Sequence, residues 1–104
     1  MITVKVLFKQ DQISQLTISG HSGYDEPGRD IVCSSVSTAL FVSLGLIERV
    51  CPKYKFKSDE KKAIMDLKII ESNEITSMIL DNLVDSLYSI SCDYGEYLAI
   101  NYIR

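Results

Sequence analysis

Over residues 32–51 apolar side chains recur at helical spacing on most sides of one helix. Val36, Leu40, Leu44 and Ile47 form one stripe, Ala39, Val42, Leu46 and Val50 a neighbouring one, and Phe41 fills much of what remains. A helix that is apolar most of the way round has to be covered on more than one face. It is expected to lie across a sheet and to touch a second helix or a second subunit. Pro52 supplies the stop, because its ring disfavours a helical residue before it. The longest apolar run, near residues 36–47, contains Ser37, Thr38, Ser43 and Gly45 and reads as too short to span a bilayer. No membrane partner is therefore expected.

The rest of the chain supplies the sheet and the second helix. Ile2, Val4, Val6 and Phe8 alternate with Thr3, Lys5 and Leu7, a strand with one apolar face. After a polar turn, residues 13–19 resume the alternation, with Leu16 and Ile18 on one side and Thr17 on the other, which completes a hairpin. Residues 53–57 alternate lysine with Tyr54 and Phe56, and residues 63–69 put Met65, Leu67 and Ile69 opposite Asp66 and Lys68, a second hairpin. Residues 72–91 carry Ile75, Ile79, Leu83, Leu87 and Ile90 as a helical stripe, widened by Met78 and Leu80, behind a cap at Ser72 or Asn73. Residues 97–103 form a closing strand. The order ββαββαβ reads as an α+β fold, an antiparallel or mixed sheet packed with two helices on one or both faces. At 104 residues it is one domain, 1–104.

Composition narrows the function. The net charge is -3, and Asp59 and Glu60 interrupt the lysines around residues 53–62, so no direct nucleic-acid partner is expected. The three cysteines form no C-x-x-C pair, which argues for reduced thiols, and the N-terminus shows no signal-peptide pattern, so a cytoplasmic location is expected. One histidine and scattered cysteines give no four-ligand zinc site, and no Gly-Lys-Ser/Thr follows the glycines as a phosphate loop requires. No metal or cofactor is expected.

The chemistry concentrates in residues 20–37. Here stand the only histidine, His21, three of the five glycines, and Cys33 at the start of the first helix. A helix N-terminus stabilises an anion, so a thiolate is favoured there. His21 can accept the thiol proton and return it to a leaving amine. Asp30 or Asp25 could orient the imidazole, and Asp30 could instead cap the helix. The backbone N–H groups of Cys33 and Ser34 could form an oxyanion site. Gly20, Gly23 and Gly28 permit positive φ and close approach of a peptide. They also make the loop mobile, so that the dyad assembles when substrate binds. An extended substrate could pair with an exposed strand edge beside Gly20. Ser22, Tyr24 and Arg29 complete the candidate substrate loop. On residues alone, a cysteine at a helix start is more often a small core residue, and Asp-Glu-Pro-Gly is turn chemistry in any protein. Cys51 and Cys92 carry no role.

The run Gly20-His21-Ser22-Gly23, then Gly28, then Asp30-Ile31-Val32-Cys33-Ser34-Ser35-Val36-Ser37 resembles the ribosomal-processing cysteine protease family, Prp. That family's pattern is Gly-His-(Ala/Ser)-Gly, a short spacer, and Gly-x-Asp-(Ile/Leu)-Val-Cys-(Ala/Ser)-(Ala/Ser)-(Val/Ile)-Ser. Ser34 and Ser35 stand where alanine is commoner. The length and element order agree as well. The resemblance implies a cytoplasmic, homodimeric cysteine endopeptidase without cofactor. Such an enzyme removes the N-terminal extension of a large-subunit ribosomal protein by cutting after a Phe-Phe pair, in support of ribosome assembly. It implies Cys33 as nucleophile and His21 as general base, and matches Asp30 to the motif's aspartate. Two other readings use the same residues differently: a non-catalytic ribosome-assembly or binding factor with a structural glycine-rich loop, and a redox-sensing thiol.

Overall fold

The computed structural model describes residues 1–26 and 29–104. Its elements are β1 (Ile2–Lys9), β2 (Gln12–Ser19), α1 (Ile31–Val50), β3 (Lys53–Asp59), β4 (Ile64–Glu71), α2 (Glu74–Asp93) and β5 (Leu98–Ile103). The expected ββαββαβ order holds. One five-stranded sheet runs β3-β4-β2-β1-β5. It is mixed: β1/β2, β2/β4 and β3/β4 pair antiparallel, and β5 pairs parallel to β1. The first hairpin closes on Gln10 and Asp11, both at positive φ (53° and 63°), the primed-turn geometry whose twist matches that of two paired strands.

Period-two alternation decides which side of the sheet is covered. Ile2, Val4, Val6, Leu16, Ile18, Leu67, Ile69 and Leu98 are buried against Val32, Val36, Leu40 and Ile47 of α1 and Leu80, Leu83 and Leu87 of α2. Each fully buried aliphatic side chain of this kind contributes about 1.5–3 kcal/mol. The residues between them point the other way, so both helices lie on one face. Lys5, Lys55, Lys57 and Lys68 are exposed on the open face, where Asp66 accepts from Gln15 and Thr17. The three lysines of β3 also guard an edge strand against pairing with another chain.

Helix α1 leaves part of its apolar surface open, and α2 departs from the sequence expectation in its first turn. The inner stripe of α1 is buried, but Val42 and Leu46 of the neighbouring stripe, and Phe41 beside it, are 61%, 44% and 51% exposed, so this chain alone does not cover them. At 20 residues α1 outruns its central apolar run, and by length and composition it is long enough to cross a membrane; Val32, Val36, Leu40, Leu44 and Ile47 instead fill the core. In α2 the inward stripe is Thr76, Leu80, Leu83, Val84 and Leu87, while Ile75 and Met78 are exposed. Asn73, not Ser72, caps this helix, accepting from the Thr76 N–H at 2.8 Å. That start turns Thr76 inward in place of Ile75. Its hydroxyl is fully buried and has no partner among the described residues. An unpaired buried hydroxyl costs about 1–3 kcal/mol, and valine has the same shape without it. Thr76→Val is expected to raise the thermal midpoint by about 4 °C or more, read by circular dichroism melting.

Candidate active site

The first helix begins where it does because Asp30 stops the extended loop and caps it. Asp30 has β-region backbone (φ -80°, ψ 100°), and its Oδ1 accepts the N–H groups of Val32 and Cys33, each at 3.0 Å. Its carbonyl accepts the Ser34 N–H at 3.1 Å and the Ser34 hydroxyl at 3.0 Å. Its second carboxylate oxygen, Oδ2, accepts the hydroxyl of Ser22. Ser22 in turn accepts the Tyr24 N–H at 3.2 Å and the Cys33 thiol at 3.5 Å. Among the described residues of the loop, Ser22 and Asp30 are the buried ones, at 3% and 7% exposure.

Burial pushes the Asp30 carboxyl up. The hydrogen bonds from Ser22 and from the backbone N–H groups of Cys33, Asp25 and Val32 outweigh it and hold the group below the ordinary carboxylate value. A carboxyl depressed on folding stabilises the protein fully above its unfolded value, about 3.9, and this contribution is lost as pH falls through the lower folded value.

Cys33 and His21 line one cavity of about 220 Å³. Ile2, Ile18, Val36 and Met65 form its apolar wall, and Ser58 and Asp59 at the end of β3 and Glu60 just after it also line it. Gly20 fixes where His21 leaves the sheet. Its N–H donates to Ala63 O at 2.9 Å, its φ is +91°, and an added Cβ would stand 2.5 Å from Met1 O. Only glycine fits both that backbone and that approach. Cys33 is half-buried and His21 exposed, and among the described residues no hydrogen bond joins them; the thiol donates to Ser22 instead.

Other sequence-predicted site residues are placed differently. The Cys33 and Ser34 N–H groups are both taken up by Asp30, so the expected oxyanion donors are not free: a cap consumes the orphan donors that an oxyanion would need. Asp30 is a helix cap, and Asp25 accepts the Glu26 N–H in a local turn; neither is bonded to His21 among the described residues. Ser22 lies behind the cavity, not in its lining. Tyr24 packs edge-on against Tyr94 and Tyr97, with centroids 5.6 and 5.1 Å away, and Arg29 is exposed with its N–H on Glu26 O; neither lines the cavity. Gly23 takes positive φ (+70°), and Gly28 lies outside the described residues. β2 is an interior strand, so no free edge lies at Gly20; the edge that reaches the cavity is the Ser58–Asp59 end of β3. Cys51 donates to Glu71 O at 3.2 Å, well apart from the site, and Cys92 is exposed. Ala63, Ile64, Met65 and residues 58–60 went unread as site residues, because only the β2–β4 register brings them to His21.

The pH behaviour of the cap is directly testable. Asp30→Ala is expected to lose about 0.5–2 kcal/mol, the ordinary range for an N-cap. The gap in melting temperature between wild type and variant should be constant above about pH 5 and shrink as pH falls below about 4.

Comparison with known proteins bears on this arrangement. Residues 1–99 match the family model described as Cysteine protease Prp. The Ribosomal processing cysteine protease Prp of Staphylococcus aureus (strain Mu50) is 27% identical over 105 residues, covering 98% of this chain and 99% of that protein. The crystal structure of the essential ribosomal processing protease Prp from S. aureus with a covalently linked product peptide superposes with a TM-score of 0.92 at 27% identity, over 98% of this chain and 99% of that one. The same protease with a substrate peptide gives 0.87 at 26% identity, with the same coverage. The match runs through the His21–Cys33 segment and nearly the whole sheet and helix framework, and on it the chain belongs to the cysteine protease Prp family.

Proposed function

We propose that this chain is a cytoplasmic, homodimeric cysteine endopeptidase in which Cys33 is the nucleophile and His21 the general base. Its substrate is a large-subunit ribosomal protein precursor, cut after a Phe-Phe pair to release the N-terminal extension. The observation that carries the reading is the shared cavity: Cys33, at the capped start of α1, and His21, just past the end of β2, line the same apolar-walled space. The S. aureus relative's name as a ribosomal processing protease, and its capture with substrate and covalently linked product peptides, support it.

The chemistry follows from the two groups. His21 accepts the thiol proton, and the thiolate attacks the scissile carbonyl carbon. The C–N bond breaks as His21 delivers that proton to the leaving amine, which leaves a thioester on Cys33. Water, losing a proton to His21, attacks the thioester. The acid product departs, and Cys33 regains its proton from His21. The apolar wall of Ile2, Ile18, Val36 and Met65 suits an aromatic side chain next to the cut.

Cys33→Ala should leave no detectable cleavage of a peptide carrying the Phe-Phe junction. His21→Ala should slow cleavage by about 10²–10⁴-fold, both with unchanged melting temperatures. Mass spectrometry of the products reads this, and wild-type turnover in either variant would end the proposal.

The exposed strip of Phe41, Val42 and Leu46 supports the dimer. Phe41 packs edge-on to Phe56 at 6.2 Å, and Val42 is the most exposed of the three. Val42→Asp should shift the protein from dimer to monomer in light scattering without loss of helix signal. A dimer unchanged by the substitution would place the contact elsewhere.

A further inference from the structure

The Ser22 hydroxyl is saturated in a way that fixes the direction of its proton. A serine oxygen has one proton to give and two lone pairs to receive with. The proton goes to Asp30 Oδ2. The lone pairs take the Tyr24 N–H and the Cys33 S–H. An ionised carboxylate only accepts, so this polarity does not reverse while Asp30 is charged. Ser22 therefore accepts from a thiol and has nothing to donate to a thiolate. It is buried, and it does not line the cavity where a peptide would sit.

We propose that Ser22 is a positioning residue that holds Cys33 as an S–H donor to its own oxygen until the thiol is drawn to His21. Breaking one S–H···O bond is then part of activating the enzyme, and Ser22 restrains the nucleophile in its resting state. The inference rests on Cys33 being the nucleophile. It reverses the simple reading of a helix start: the positive end of α1 is already engaged by the Asp30 carboxylate, and the sulfur meets an acceptor. The charged and titratable groups around the sulfur come from three places. They are Asp30 at the cap, His21 beyond β2, and Asp59 and Glu60 at the end of β3 and just after it. Replacing Ser22 keeps all four residues but takes a donor from the Asp30 carboxylate, which by itself disfavours a neighbouring thiolate, so a faster Cys33 points to the lost acceptor.

The test is the rate at which iodoacetamide alkylates Cys33 between pH 5 and 9. The thiolate displaces iodide to form an S–C bond, so the rate follows the deprotonated sulfur. Peptide mass spectrometry resolves Cys33 from Cys51 and Cys92, which serve as internal references. Ser22→Ala is expected to raise the Cys33 rate at pH 6–7 by about three- to tenfold and to move its pH profile to lower pH, the size of one lost hydrogen bond. Ser22→Thr, which keeps the hydroxyl, should return toward wild type. Ser22→Ala removes one oxygen and adds no bulk, so it should fold. If its melting curve shows otherwise, Asp30→Asn gives a second reading, because a neutral amide no longer compels the Ser22 proton and the Cys33 rate should again rise. With the Phe-Phe peptide, Ser22→Ala should shift the acid limb of kcat and leave KM unchanged. An alkylation profile identical to wild type, or a slower one, overturns the proposal. Alkylation needs no proteolysis, so that result stands apart from any failure of the protease reading.

Discussion

A single buried carboxylate holds the two halves of this site together. Asp30 Oδ1 receives the first N–H groups of α1, and Oδ2 receives the Ser22 hydroxyl from the loop. One oxygen starts the helix whose inner stripe fills the core, and the other fastens the segment that carries His21. Burying a charge is expensive, and here it is compensated three ways: by backbone donors, by a hydroxyl and by the positive end of a 20-residue helix. The compensation has a side effect. The helix end that would otherwise favour an anionic sulfur is already spoken for, and the sulfur is left to Ser22.

The sheet supplies the other half of the arrangement. Because β2 lies between β1 and β4, its end at Gly20 is closed in by Ala63 on one side and by Met1 on the other. The cavity opens where these strand ends meet the first turn of α1. Its floor is an extension of the hydrophobic core, with Ile2, Ile18 and Val36 belonging to both. A side chain bound there would continue the packing that already stabilises the fold.

What could be read from the sequence was local. Alternation gave the strands and their inward faces, from Val4 and Val6 to Leu67 and Ile69; Pro52 and Asn73 marked helix ends. The placement of Cys33 beside a helix start and the pairing of interest with His21 also came from a short run. What could not be read needed distant partners or competition for one group. Tyr24 looked like a substrate contact because nothing nearby claims it, but Tyr94 and Tyr97 do, some seventy residues on. The far wall of the cavity depends on Ser19 facing Ile64 across the sheet. The N–H groups of Cys33 and Ser34 were located correctly but counted as free, when the cap had already taken them. Most of the α2 stripe was legible, Leu80, Leu83 and Leu87 among it, but its first turn was not: Ile75 is the better hydrophobe, and Thr76 is the residue the capped start turns inward.

Two anchors now bracket the histidine. Gly20 is hydrogen-bonded into the sheet, and Ser22 is buried under Asp30, with Tyr24 wedged between two tyrosines just beyond. The residue between them has little backbone left to move. An imidazole tethered in this way travels by rotation about its own χ angles, a motion of picoseconds to nanoseconds, not by the microsecond excursion of a loop. The reach of this histidine is therefore set by the two torsions of one side chain, and not by the loop that carries it.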